Sequence, residues 1–195
     1  MEFHELVQMR RSSRAFINCS LSFSLINEIL DCGRWAPSPL NLQPWEFIII
    51  DDFAIKSRIR EIAEEAKAEV IRKGGPAWAG KYETGFLEDA AVIVVVIVNP
   101  ERGGLGSFFG QEFGAIQAAS ACIQNILLAC AEKGLGALWF TFFRPDSLRD
   151  ILNIPAKFII AGALPIGKTA GEIRRVPRRV PKIYANRFGS SNFSA

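Results

Sequence analysis

Apolar positions along this chain follow two patterns, one helical and one of unbroken runs. From Ser22 to Trp35 they recur at helical spacing, with Leu25, Ile29 and Cys32 on one stripe and Ser22 placed to cap the first turn. Ala36-Pro37-Ser38-Pro39 ends that helix, since proline has no amide hydrogen to continue the ladder. Phe53 to Lys73 carries the charge pattern of an exposed amphipathic helix, and Glu2 to Met9 and Asp146 to Leu152 predict two short ones. Ala90 to Val98 is instead a nearly unbroken β-branched run, the mark of a central strand buried on both faces. Phe47 to Ile50, Ala137 to Phe143 and Phe158 to Ile166 read as further strands. Phe108 to Lys133 reads as a long helix, apolar on most of its surface and closed by Gly134. Strands and helices alternate only loosely, which predicts an α+β fold, a mixed sheet flanked by helices. No linker divides the chain, so residues 1–195 read as one domain.

The long helix bears on assembly. A helix apolar all round must be covered on every side, either by wrapping within one subunit or, in a chain with few other helices, by a homodimer that buries its outer face, and the homodimer is the expectation. Gln117, Gln124 and Asn125 interrupt its apolar stretch, so it reads as a buried helix and not a membrane span. The opening residues, MEFHELVQMRR, have no apolar signal region, which points to a cytoplasmic protein. Cysteines at positions 19, 32, 122 and 130 lack CxxC spacing, and His4 is the sole histidine. Reduced thiols fit this pattern better than zinc or iron–sulfur ligation.

Composition adds little until it is read locally. With 49% apolar and 22% charged residues the chain can build a core, and its net charge of +3 is too mild to imply nucleic acid. The basic residues, however, gather at the ends. Arg10, Arg11 and Arg14 stand near the N-terminus, and Arg174, Arg175, Arg178, Arg179, Lys182 and Arg187 near the C-terminus, where Arg-Arg-Val-Pro occurs twice in tandem. The two ends read either as one shared anion site or as two solvated tails.

Several segments carry candidate chemistry. Arg10-Arg11-Ser12-Ser13-Arg14 offers guanidiniums that bind phosphate through paired charge-assisted bonds, with hydroxyls beside them; alone, such a run is as readily a solvated charge cluster. In Pro37-Ser38-Pro39-Leu40-Asn41-Leu42-Gln43-Pro44, an extended loop points Asn41 and Gln43 the same way, and each amide both donates and accepts. Such a pair suits a ring of alternating carbonyls and nitrogens, as in a flavin or a pterin. Gly103-Gly104-Leu105-Gly106 lacks the third glycine of a dinucleotide loop, Phe109 standing in its place, and reads as a flexible connection. Residues 74–85, with Trp78 and Tyr82, read as a lid over a site or as an ordinary surface connection. No nucleophile–base set appears, since a triad would have to use His4. Chemistry carried by a cofactor fits such a chain.

Four motifs in order resemble the FMN-dependent nitroreductase family. They are Arg10-Arg11-Ser12-Ser13-Arg14-Ala15-Phe16; Ala36-Pro37-Ser38 with Asn41-Leu42-Gln43-Pro44-Trp45; Gln124-Asn125-Ile126-Leu127-Leu128-Ala129 followed by Gly134-Leu135-Gly136; and Pro165-Ile166-Gly167. The resemblance implies a central, mainly antiparallel sheet between helices in an intertwined homodimer, with FMN at the subunit interface. It implies that Arg10, Arg11, Ser12 and Arg14 hold the phosphate and the ribityl or pyrimidine end. Pro37, Ser38, Asn41 and Gln43 are implied contacts, some from the partner, and Arg178 or Arg179 a C-terminal phosphate contact. The implied reaction is ping-pong: NADH or NADPH reduces the flavin, which then reduces a small acceptor such as a nitroaromatic or quinone. Narrower chemistry on the same fold, such as dehalogenation, dehydrogenation or flavin breakdown, stays open, as does a non-enzymatic nucleotide-binding dimer. Where the family often places Trp-x-Gly-Gly, this chain has Trp139-Phe140-Thr141-Phe142-Phe143, which bears on the acceptor more than on the flavin.

Overall fold

The computed structural model describes residues 2–171 and 176–190. Six α-helices and four strands are present among them: α1 (Phe3–Met9), α2 (Phe23–Arg34), β1 (Trp45–Ile50), α3 (Phe53–Arg72), α4 (Phe86–Asp89), β2 (Val92–Val98), α5 (Gly114–Glu132), β3 (Gly136–Ala137), α6 (Pro145–Leu152) and β4 (Ile159–Gly167). The strands form one sheet in the order β1-β2-β4-β3, every neighbouring pair antiparallel. The expected α+β sheet between helices is the fold observed.

The β-branched run makes β2 the strand that divides two cores. Val92, Val94, Val96 and Val98 face α2 and α5, while Ile93, Val95 and Ile97 face α3, α4 and α6. All seven residues are buried, so period-two alternation feeds both faces with aliphatic side chains. Polar groups fix the helix ends. The Ser22 hydroxyl accepts the Leu25 amide at 3.2 Å, the Asp52 carboxylate accepts the Ile55 amide at 3.0 Å, and Gly134 takes the left-handed conformation past α5.

Two expected boundaries fail. Gly136–Ala137 is the only regular part of the strand expected over 137–143, with an isolated bridge from Phe140 to Ala163 beyond it. Trp139 is the cause: its indole donates to the Ala161 carbonyl at 3.0 Å and lies against Gly162, where a Cβ would meet the ring at 2.4 Å. Phe142 and Phe143 then leave the sheet edge for an aromatic cluster. The long helix starts at Gly114, not Phe108, because Gly110 adopts φ +69° and residues 104–109 form 3-10 turns instead.

The α5 helix is long and apolar enough to cross a membrane, yet 56% of that stretch is buried inside the fold. Gln117 and Gln124 form its exposed side. Large apolar side chains are exposed elsewhere, including Phe108 at 80%, Phe109 at 79%, Val180 at 91% and Phe188 at 91%.

Candidate functional site

The basic cluster is built on the end of α1. Its last turn closes when the Arg10 amide donates to the Leu6 carbonyl at 3.0 Å, and the chain then runs beside β3, where the Ser13 amide donates to the Ala137 carbonyl at 3.0 Å. Gly136 permits this approach, since a Cβ there would sit 2.4 Å from the Ser13 hydroxyl. Ser13 is buried and its hydroxyl has no partner, whereas Ser12 and Arg14 face outward.

Arg178 comes to the same place. Burial first, then the charges of Arg178 and Arg11, press the Arg10 guanidinium below its usual range. Arg11 spends one terminal nitrogen on the Arg10 carbonyl at 3.1 Å and leaves its buried Nε without a partner. Among the described residues no carboxylate lies within 4.0 Å of Arg10, Arg11, Arg14 or Arg178, although six other ion pairs form. Cations gathered against mutual repulsion with no acid beside them form an anion site by charge. Arg179 is exposed in the same segment, and Arg174 and Arg175 lie outside the described residues.

The 38–43 loop is the second part, and its geometry differs from the extended loop expected. Pro39–Asn41 is a 3-10 turn, and Leu40, Asn41 and Gln43 have φ of 52°, 54° and 45°. Such values are uncommon for residues with side chains, and for leucine costly. The surroundings hold them in place: the Gln43 amide donates to the Ser38 hydroxyl at 3.0 Å, and Pro39 packs on Gly104 and Gly114. At Gly104, with φ +78°, a Cβ would lie 2.5 Å from that of Pro39. The Gly103-Gly104-Leu105-Gly106 run is therefore a seat for a strained loop and not a flexible connection. Asn41 and Gln43 do meet, the Gln43 side chain donating to Asn41 Oδ1 at 3.3 Å, but the turn brings them together and not alternation. Both are exposed, as is Pro37, while Ser38 is half-buried.

These parts do not meet within one chain. The loop lies at the start of α5, against Gly114, and the arginines at its end, beside Gly136. The 19 residues between extend about 27 Å, more than a mononucleotide can bridge.

The 74–85 segment joins the basic end. Tyr82 packs edge-on to Trp78, Phe86 and Phe142 at centroid distances of 5.9, 6.3 and 5.6 Å, and its hydroxyl accepts from Arg14 Nε at 3.2 Å. The buried Thr84 hydroxyl donates to Glu64 on α3, and the Arg144 guanidinium donates to Glu69 at 2.7 Å. In the sequence Tyr82 is only a loop aromatic; its pairing with Arg14 spans 68 positions and has no local signal.

Other groups fall away as chemistry. His4 pairs with Gln8 on the exposed α1. Burial pushes the thiols of Cys122 and Cys130 up to about 12, and all four cysteines are free. Among the described residues no cluster of His, Cys, Asp and Glu is suited to a metal ion.

The antiparallel sheet between helices belongs to a known class of protein: the chain is a member of the nitroreductase family, whose model matches residues 7–168. The chain is 30% identical over 191 residues to iodotyrosine deiodinase 1 of Sus scrofa, covering 91% of this chain and 65% of the pig protein's length. It is 29% identical over 174 residues to a protein of Methanothermobacter thermautotrophicus provisionally named NADH dehydrogenase/NAD(P)H nitroreductase, with 87% and 78% covered. A crystal structure of oxidized iodotyrosine deiodinase bound to FMN and 3-iodo-L-tyrosine superposes with a TM-score of 0.84 at 21% identity, covering 96% of this chain and 100% of that one. That last likeness is one of fold.

Proposed function

We propose that this chain, acting as a single flavin-binding unit in a homodimer, is an FMN-dependent oxidoreductase. It takes electrons from NADH or NADPH and delivers them to a small aromatic acceptor. The observation that carries this reading is the gathering of Arg10, Arg11 and Arg178, with no carboxylate among the described residues at ion-pair distance from them or from Arg14 a few residues on. A phosphate monoester with its near-double negative charge matches that set, and Arg179 and the Ser12 hydroxyl stand next to it.

Bound FMN would supply the hydride-accepting ring, and the chain supplies everything around it. The arginines hold the phosphate by charge. Ser38 shapes the 38–43 loop through the Gln43 amide, and Asn41 and Gln43 present amide groups to a ring with carbonyls and nitrogens, with Pro37 as its edge. Because the two parts lie at opposite ends of α5, the arginines of one subunit would work with the loop of the other. The exposed Phe108, Phe109, Val180 and Phe188 support such pairing, being apolar surface that a second copy would cover. No proton-transferring side chain stands in the cluster, which fits a cofactor that carries its own chemistry.

Two acceptor classes are in view. The deiodinase relatives favour reductive dehalogenation of a halogenated aromatic, and the packed rings of Trp78, Tyr82 and Phe142 suit a flat ring. The archaeal relative favours nitroaromatics or quinones. The purified protein should be yellow and release FMN on denaturation; failure to bind added FMN sinks the reading. Anaerobic addition of NADH and then NADPH shows which donor bleaches the flavin. Reoxidation by 3-iodo-L-tyrosine with iodide release, against reoxidation by a nitroaromatic, separates the acceptor classes.

A further inference from the structure

The proposed function uses only the ring of Tyr82 and leaves its hydroxyl without a role. Its ring is part of an aromatic chain that starts in the core at Phe140, passes to Phe86 at 5.8 Å and reaches Tyr82 at 6.3 Å. Trp78 and Phe142 pack on it from the sides. Its hydroxyl lies 3.2 Å from Arg14 Nε, and the Arg14 guanidinium carbon stands 5.6 Å from the centre of its ring. One side chain thus ties the 74–85 segment to Arg14, two residues beyond Ser12.

The chemistry of this contact matters. Tyr82 is neutral, so it orients Arg14 without cancelling its charge. It engages Nε, which leaves the two terminal nitrogens free to present paired donors to an anion. A carboxylate in that place would hold Arg14 as firmly and abolish its use. An exposed arginine otherwise spreads over many rotamers, and fixing it beforehand lowers the entropy lost on binding.

We infer that Tyr82 is a positioning residue that couples anion capture at Arg14 to closure of the 74–85 segment. The inference rests on the flavin reading for the identity of the anion, and on geometry alone for the coupling. Coupling is reciprocal: a ligand phosphate that fixes Arg14 favours the docked segment, and a docked segment raises the affinity for the phosphate. Because the segment carries the aromatic wall proposed for the acceptor, the acceptor pocket is then completed by cofactor binding.

The test uses the full chain, FMN as the ligand and trypsin as the probe of the segment, reading cleavage after Lys73 and Lys81. Tyr82→Phe keeps the ring and its packing and removes only the hydroxyl. It should weaken FMN binding roughly ten-fold, the loss of one hydrogen bond to a charged group, and abolish most of the protection that FMN gives Lys81. Arg14→Gln should speed cleavage after Lys81 in the ligand-free protein, as Tyr82→Phe does. In the double variant the losses of FMN affinity should fall short of additive, which separates coupling from a merely structural role. Additive losses, or unchanged cleavage in both single variants without ligand, overturn the coupling. If the wild-type chain takes up no FMN, inorganic phosphate serves as the anion: protection of Lys81 by phosphate in the wild type but not in Tyr82→Phe keeps the coupling while the flavin reading falls, and no protection in the wild type overturns both.

Discussion

The two ends of α5 solve the same problem in opposite ways. At its C-terminal end, charge is gathered without left-handed backbone: Arg10 caps a short helix, Arg11 follows it, Arg178 arrives from a distant segment, and no acid among the described residues pairs with them. At its N-terminal end the groups are neutral amides and the backbone does the work, with Leu40, Asn41 and Gln43 in left-handed conformations seated on Gly104 and Gly114. The difference follows from range. Coulomb attraction acts over several ångströms and tolerates displacement, so a charge site needs the right residues more than exact placement. A neutral hydrogen bond weakens steeply with angle and distance, so an amide site needs a held backbone.

That contrast breaks most sharply at the basic end. Arg10→Ala combined with Arg14→Ala should lower FMN affinity at least roughly hundred-fold, since two bonds to a charged group are lost. The remaining binding should also depend less on salt. A flavin titration at two ionic strengths checks both points, and unchanged affinity refutes the site. At the other end, Gly104→Ala brings a Cβ to 2.5 Å from that of Pro39 at φ +78°. Strain of about 1–3 kcal/mol is expected, and FMN affinity should fall about ten-fold while the binding of inorganic phosphate is kept. Loss of both would show that the two ends are not independent.

Leu40→Gly sharpens the comparison in the stabilising direction. It relieves about 1–2 kcal/mol of left-handed strain and costs part of that in chain entropy. Thermal melting should rise by about 1–3 °C, and a fall would mean that Leu40 is held by contacts that outweigh its strain. The smallest effect is in pH. The Thr84 hydroxyl, followed by Lys67, holds the Glu64 carboxyl below its usual value of 4.5. A depressed carboxyl contributes stability above its unfolded value and loses it as pH falls through the folded one. Protection of residues 74–85 from hydrogen exchange, after correction for the intrinsic pH dependence of exchange, should therefore stay constant from pH 7 to about 5. As pH falls further, through the folded value below 4.5, that protection should fall in the wild type but not in Thr84→Val.

How much was legible varied with the distance over which each feature is encoded. Ser22, Gly134 and the β-branched run at 92–98 announced themselves, because a cap, a helix end and a buried strand are written within a few residues. Phe108 misled: its apolar neighbours fit a helix, and only Gly110 in the left-handed conformation starts α5 six residues later, at Gly114. Ala137–Phe143 misled in the same way, since nothing local says that Trp139 will bind the Ala161 carbonyl across the sheet edge. Asn41 and Gln43 do pair, but the turn and not the pleat sets their directions.

The sequence by itself determined the periodicities, the caps and the presence of a basic cluster and of an amide-bearing loop. Each depends on neighbours within a turn or two, where covalent geometry and propensity act directly. Only the tertiary structure decided that Arg178 faces Arg10, that Tyr82 holds Arg14 from 68 positions away, and that the loop and the arginines stand at opposite ends of α5. Those contacts join segments far apart in the chain, and packing of the two cores around β2 fixes them, not any local pattern.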